Sequence, residues 1–338
     1  MHYTFNVKIK IRRKLISLFL CLASLACLCS CSSSSPVSES QYLLDTVCDI
    51  TIYDSSDAEG ALEEGFAYIA ECENLLSKTR DNSDVSRINS AAGQSVVVSD
   101  LTAEVIELAL EYSELSDGAF DITMGGVIDL WDAAVDAPPS DADLTEALSH
   151  VSYKNIELDG NTVTLKDPET QLDLGGIGKG VIASKTAALL ESLGVRSAIV
   201  NLGGNVVCIG QKSFFNKFKI GIMMPFSDNT QIVGYAELKD QTAVTSGVYE
   251  RTVTLGGTEY HHIKDPATGY PSNSDITGAT IVANASLSGD CDALSTICII
   301  LGSDKAVDLI ESLDGFEALF ILTDGQIVTT SEFSFTAT

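Results

Sequence analysis

"SAIVNLGGNVVCIG", residues 197–210, holds two short apolar runs rich in β-branched residues, parted only by Gly203 and Gly204. A link this short cannot carry a crossover, so the two runs read as adjacent strands of an antiparallel pair. Two glycines supply the turn with backbone freedom that other residues lack. The same rhythm continues downstream through "FKIGIMM", "IVGYAEL", "TAVTSGVYERTVTL", "EYHHI" and "TGATIVA". It closes in a strand pair around "EALFILTDGQIV", with Asp324-Gly325 at its turn.

Helical periodicity interrupts this rhythm in a few places. Leu62, Phe66, Ile69, Leu75 and Leu76 recur at helical spacing between Ala58 and Ser77, after a strand at residues 43–53. "LTAEVIELALEYSELSDG" predicts a second helix, ended by Gly118. "TRDNSDVSRIN" between them is a polar loop with a short helical turn, and "DAPPSDAD" is a surface loop. "LDLGGIGKG", residues 172–180, precedes a helix from about Val181 to Leu193, and "SGDCDALSTICIILG" and "SDKAVDLIESLDG" are two more. Hairpin-length links outnumber crossovers. The fold class is therefore α+β: a single compact mixed α/β domain with largely antiparallel sheets flanked by helices.

The first 31 residues are set apart. Lys8, Lys10, Arg12, Arg13 and Lys14 precede the apolar run "LISLFLCLASLACL", which is the order of a secretory signal and is short for a membrane span. Leu28-Cys29-Ser30-Cys31 looks like a bacterial lipobox, making Cys31 the expected lipid-bearing terminus; an ordinary cleaved signal is the alternative. The organisation is then a lipoprotein signal peptide at 1–31, a Ser-rich tether at 32–41 and one domain at 42–338, held at the extracytoplasmic face of the cell membrane.

Without the leader, 15 Lys and Arg face 47 Asp and Glu, a net charge of −32. Such a surface repels phosphate backbones, which argues against nucleic acid and against electrostatic docking on anionic lipid. An anionic ligand needs local donors or a metal. Five cysteines remain (Cys48, Cys72, Cys208, Cys291 and Cys298), odd in number and without metal-ligand spacing, so they read as small core residues.

Three motifs carry chemistry. The glycines of "LDLGGIGKG" stand between a strand and a helix start, where free N–H groups and the helix dipole suit phosphate oxygens, though a tight turn needs the same glycines. Neither the Walker nor the Rossmann spacing is present. "CDALST" sets Asp292 and Thr296 at i and i+4, one helix face, as a hard cation would use them together with phosphate; acidic residues also simply favour a first helical turn. "YHHIKDPATGYP", residues 260–271, puts His261 and His262 beside a stiff Asp-Pro-x-Thr-Gly turn. Strand geometry lets only one of the two face a given site.

"LLDT", "SKTRDNSDVSRIN", "GAFDIT", "DLW", "LDLGGIGKG", "NLGGN", "TSGVY", "HHIKDPATGYP" and "CDALST", in this order, resemble the ApbE family of FAD:protein FMN transferases. The resemblance implies a bound FAD, a Mg2+ ion at its pyrophosphate, and transfer of FMN to a threonine of a partner flavoprotein with release of AMP. It implies Asp292, Thr296 and the Gly176 carbonyl as metal ligands. Leu44, Thr79, Gly118, Ala119, Asp173, Lys179 and His262 would contact the cofactor, and His262 would be the catalytic base. Leu44-Asp45-Thr46 stands where many members have Met-Gly-Thr, and Cys291 where many have Ala. A metal-dependent FAD pyrophosphatase and a non-catalytic FAD-binding lipoprotein remain as alternatives. The partner would carry a Ser/Thr-Gly-Ala-Thr type motif; Thr277-Gly278-Ala279-Thr280 of this chain looks alike, but its strand-like setting argues against self-modification. Replacing Cys31 by Ala is expected to release the protein from membranes, read by fractionation and by loss of palmitate incorporation.

Overall fold

The computed structural model describes residues 35–227 and 231–338, so the expected signal peptide and Cys31 lie outside the described residues. In chain order the strands are β1 (Val37–Leu43), β2 (Thr46–Ile52), β3 (Val96–Val97), β4 (Ile156–Asp159), β5 (Thr162–Leu165), β6 (Ala198–Leu202), β7 (Asn205–Ile209) and β8 (Phe218–Met223). They continue as β9 (Ile232–Leu238), β10 (Gln241–Gly247), β11 (Thr252–Leu255), β12 (Thr258–His261), β13 (Ile276–Asn284), β14 (Glu317–Leu322), β15 (Ile327–Thr329) and β16 (Phe335–Ala337). The helices are α1 (Ala58–Leu76), α2 (Asp84–Asn89), α3 (Asp100–Leu115), α4 (Gly125–Asp132), α5 (Asp141–Ser149), α6 (Gly178–Ser192), α7 (Ser288–Leu301) and α8 (Ser303–Glu311).

An eight-stranded sheet in the order β1-β2-β6-β7-β10-β13-β14-β15 organises the body from Pro36 to Thr338. Every strand pair in it is antiparallel. The hairpin read from residues 197–210 is its β6–β7 pair, with Leu202 opposite Asn205. Gly203 and Gly204 form the turn with φ +59° and +92°, the left-handed pair that matches strand twist. Side chains of α1, α6 and α7 bury one face of the sheet in the main core, around Ile50, Ile69, Ile182, Val200, Ile281 and Ile297. On the other face the small β8-β9-β16 sheet packs Phe218, Ala236 and Leu238 against Cys208, Ala243 and Val282. Covered on both sides, β13 has eight of its nine residues buried. Thr277 and Thr280 lie in it, with Thr277 Oγ1 donating to the Ile321 carbonyl at 2.9 Å, so neither is presented to a modifying site. All five body cysteines are free and buried.

The structure departs from the sequence reading in a few places. The expected tether at 32–41 gives up residues 37–41 to β1, which pairs with β2 in continuous register. The expected strand at 43–53 is cut by a turn at Leu44 and Asp45, both at φ +55°. No glycine or asparagine announces that turn. It is held instead by the Leu44 N–H, which donates to Glu73 Oε1 at 3.0 Å. Residues 242–255, read as one strand, break at Val248–Arg251 into β10 and β11. Helices α4 and α5 and the β4–β5 hairpin were not anticipated; α5 starts inside the expected 136–143 loop because Ser140 caps it, accepting from the Asp143 N–H at 3.1 Å.

Candidate active site

The glycine-rich segment 172–180 runs into α6, and α6 lies against α7 so closely that a Cβ on Gly180 would stand 2.2 Å from the Ser288 carbonyl oxygen. Only glycine permits that approach. As a result the Gly180 N–H, which has no intrahelical partner in the first turn of α6, reaches Asp292 Oδ2 of α7 at 2.9 Å. No side chain caps α6, so a carboxylate from the neighbouring helix does it. Asp292 is 2% exposed. Burial raises its pKa, against Lys179, the Gly180 N–H and Asn205, which favour the anion.

Lys179 reaches into the same place, its Nζ 3.1 Å from the Gly175 carbonyl and 3.9 Å from Asp292 Oδ2. Thr296, one turn along α7, has its Oγ1 3.8 Å from where a Gly176 Cβ would be, and makes no hydrogen bond among the described residues. Thr296 thus stands beside Gly176, and Asp292 beside Gly180 of the same glycine-rich segment. Among the described residues there is no cluster of three His, Cys, Asp or Glu that would hold a metal unaided. One carboxylate, one hydroxyl and one carbonyl fit a magnesium ion that shares its shell with phosphate and water.

The histidines sort themselves by hydrogen bonding. His261, the last residue of β12, is half-buried and its Nε2 lies 2.9 Å from the Ser272 carbonyl. His262 follows the strand; its N–H donates to the Arg251 carbonyl at 3.1 Å, which sets the imidazole beside Arg251. Crowding by protein pushes the His262 pKa down to about 3, and the charges of Lys179 and Arg251 push the same way. Solvent still reaches the residue, as it does a group on the wall of an open cleft. The turn that follows is stiff: Thr268 and Gly269 donate to the Asp265 carbonyl at 3.1 and 2.8 Å, and Ala267 to Asp265 Oδ1 at 2.9 Å. Trp131 of α4 clamps it, donating from Nε1 to the Gly269 carbonyl at 2.7 Å, with the Lys264 ammonium 3.9 Å over its ring. Burial lowers the Lys264 pKa to about 8, an effect the Asp132 carboxylate opposes.

The remaining expected contacts stand around this centre. Asp173 Oδ1 accepts from the Gly175 N–H at 2.7 Å and its Oδ2 is 3.2 Å from Lys78 Nζ, so Asp173 shapes the glycine loop. Thr79 adjoins Lys78, and its hydroxyl pairs with Ser77 Oγ at 3.1 Å. Gly118, at φ +82°, and Ala119 lead into Phe120, whose ring lies 3.0 Å from where a Gly176 Cβ would be. Leu44 belongs to the turn whose next carbonyl, that of Asp45, accepts from Arg251 Nη2 at 3.1 Å.

Several residues of the cleft went unread in the sequence. Lys78 bridges Asp129 at 2.8 Å and Asp173 at 3.2 Å. Arg251 ties the first hairpin to His262. Glu250 lies within reach of Lys179, Arg251 and Asp292; crowding pushes its carboxyl up to about 7 although both cations oppose this. Asn205 turns toward Asp292, and its Oδ1 is buried without a partner among the described residues. The signal for Glu250 and Arg251 was the charged pair set inside the apolar alternation of "TAVTSGVYERTVTL".

The sequence profile of the ApbE family matches residues 44–320. The chain belongs to the ApbE family. It is 34% identical over 311 residues to a FAD:protein FMN transferase of Treponema pallidum, covering 86% of this chain and 85% of that protein. A Klebsiella pneumoniae protein of the same name is 33% identical over 281 residues, covering 82% and 86%. Among solved structures, the ApbE protein of Thermotoga maritima superposes with a TM-score of 0.80 at 29% identity, over 88% of this chain and 97% of that one. The flavin transferase ApbE of Vibrio cholerae gives 0.80 at 26% identity, over 88% and 98%.

The α6–α7 contact holds Asp292 against the start of α6. Gly180→Ala is expected to destabilise the protein by about 2–4 kcal/mol, because the added methyl meets backbone rather than a movable side chain. Chemical denaturation of the variant checks this, with Gly178→Ala, in the same helix and with only a Leu76 methyl at 3.9 Å from its added Cβ, as the control that should cost little.

Proposed function

We propose that this chain transfers FMN from FAD to a threonine side chain of a target flavoprotein, through a phosphoester bond, with release of AMP. Support comes from family membership over nearly the whole body combined with one observation: Lys179 stands 3.9 Å from the buried Asp292 and near enough to His262 for its charge to depress that imidazole's basicity. In the reaction the acceptor hydroxyl oxygen bonds to the FMN phosphorus as the bond from that phosphorus to the bridging oxygen breaks. AMP leaves with the bridging oxygen, and the hydroxyl proton passes to His262.

The residues take complementary parts. The Lys179 ammonium holds pyrophosphate oxygens and compensates the −32 background locally. Asp292, Thr296 and the Gly176 carbonyl would hold Mg2+, which supplies further charge neutralisation to the pyrophosphate. The neutral His262 imidazole has a free lone pair for the incoming proton. Leu44, Thr79, Gly118, Ala119 and Asp173 line the flavin and adenine ends, and the acceptor presents a Ser/Thr-Gly-Ala-Thr type segment. The site faces the extracytoplasmic side, with the body anchored through a lipid on Cys31. Hydrolysis of FAD by the same groups, or FAD binding without turnover, is distinguished by incubating the protein with FAD, Mg2+ and an acceptor domain. Transfer gives an in-gel flavin band on the acceptor together with AMP. Free FMN and AMP without the band denote a pyrophosphatase, and neither product denotes a binding protein.

Asp292→Asn keeps an acceptor for the Gly180 N–H while removing the charge. Turnover is expected to fall by about 10³-fold with the fold retained; circular dichroism and flavinylation rates read the two separately, and near-normal activity would remove Asp292 from the metal set. His262→Ala is expected to lower transfer by about 10²- to 10⁴-fold with little change in FAD affinity, since a base acts in the transition state. His261→Ala should cost mainly stability, about 1 kcal/mol. Because the His262 pKa is lowered, its base form persists on acidification, so the acid limb of kcat/KM should lie below the ordinary imidazole value of about 6.5 and vanish in His262→Ala. An acid limb unmoved by that substitution would assign the base elsewhere.

A further inference from the structure

Residues 210–219, "GQKSFFNKFK", join β7 to β8 and contain three lysines, three phenylalanines and no carboxylate, in a body with 15 cationic and 47 anionic side chains. Phe214 and Phe215 are 84% and 88% exposed, the two most exposed large apolar side chains among the described residues. They are not loose. Ser213 and Asn216 exchange backbone hydrogen bonds at 3.1 Å, Gln211 Nε2 donates to the Phe214 carbonyl at 3.1 Å, and the two rings meet edge to face at 4.8 Å. Phe218, 1% exposed, roots the loop in the core. Lys219 turns to Tyr235 and Glu237, whereas the exposed Lys212 and Lys217 form no ion pair among the described residues.

Sheet register says where this loop stands. Val37 at the start of β1 pairs with Ile52, Ile52 with Ala198, and Ala198 with Ile209, the last residue before the loop. The point at which the chain enters β1 and the root of the loop therefore share one end of the sheet, three strand spacings or roughly 15 Å apart. Leu44, Asp45, Gly203 and Gly204, which border the cleft, turn at the opposite end of the same strands, about 20 Å away.

We propose that the 210–219 loop is a membrane-contact element: Phe214 and Phe215 enter the interface of an anionic bilayer, Lys212 and Lys217 meet its headgroups, and the cleft is held facing away from the surface. Exposed aromatic rings favour the bilayer interface, and each nearby lysine adds attraction to anionic headgroups. The acidic remainder of the body is repelled by the same surface, so contact is confined to this end. The position of the loop beside the entry of the chain rests on the lipid-anchor reading; the composition and exposure of its tip do not.

The test uses the full chain on vesicles of mixed phosphatidylglycerol and phosphatidylcholine with brominated acyl chains, which quench tryptophan in contact with the hydrocarbon. Trp131 is 4% exposed and is the one native tryptophan, giving a constant background. Phe215→Trp should lose at least about half its added emission relative to unbrominated vesicles. Phe226→Trp, 67% exposed beside Tyr249 at the cleft end, should lose none. Flotation reads the anchor separately. If the Phe215→Trp protein floats with its added emission unquenched, or if the two variants are quenched alike, the loop's role alone is overturned; protein that does not float overturns the anchor and the loop together. Added emission in Phe215→Trp that responds to an acceptor domain and not to brominated lipid makes the loop a protein-docking surface and equally overturns the proposal.

Discussion

The approach of α6 to α7 at Gly180 is the constraint on which the cleft depends. With a Cβ there barred by the Ser288 carbonyl at 2.2 Å, the two helices touch backbone to backbone. That contact brings a buried carboxylate to the positive end of a helix, where the N–H of Gly180 and the dipole stabilise it. Asp292 is thus a structural cap before it is anything else. The same helix carries Thr296 one turn on, its hydroxyl beside Gly176 of the segment that leads into α6.

Electrostatics divides the molecule. The body repels anions as a whole, yet Lys179 and Arg251 stand on one cleft with Asp292 and Glu250 as their local counter-charges. Cation and carboxylate are each incompletely matched there. A ligand that carries negative charge and can share a divalent ion satisfies both at once, which is why a pyrophosphate suits the cleft and a neutral or cationic ligand does not. On the far end of the sheet the lysine-phenylalanine loop is the second departure from the acidic surface, and the two departures lie at opposite ends of the same strands.

How far the sequence could be read follows from what local pattern encodes. The antiparallel meander was legible because Gly203-Gly204 and Asp324-Gly325 carry turn chemistry in their own letters. The Leu44-Asp45 turn was not, because a leucine at φ +55° is imposed from outside by Glu73, itself paired with Arg80. Asp292 and Thr296 were visible through helical spacing, but the reason for Asp292's position, the glycine of another helix, is tertiary. The α5 helix hid behind two prolines, and Lys78, Glu250 and Arg251 hid as single charges whose partners lie on other elements. Residues that act through a neighbour of their own element could be read; those whose partner comes from across the fold could not.

The low basicity of His262 becomes intelligible under the proposed reaction. In the empty cleft its proton affinity is held down by crowding and by Lys179 and Arg251, two cations that act on the ring together. Basicity lost to a positive field returns when that field is cancelled. Under that reaction a pyrophosphate held by Lys179 would bring negative charge toward the ring and offset the part of the loss that the two cations cause. An empty site, by contrast, holds a neutral imidazole with little pull on any proton. The cations that would bind the phosphate are thus among the groups that keep the imidazole neutral, so the proposed binding and base roles share the same pair of side chains.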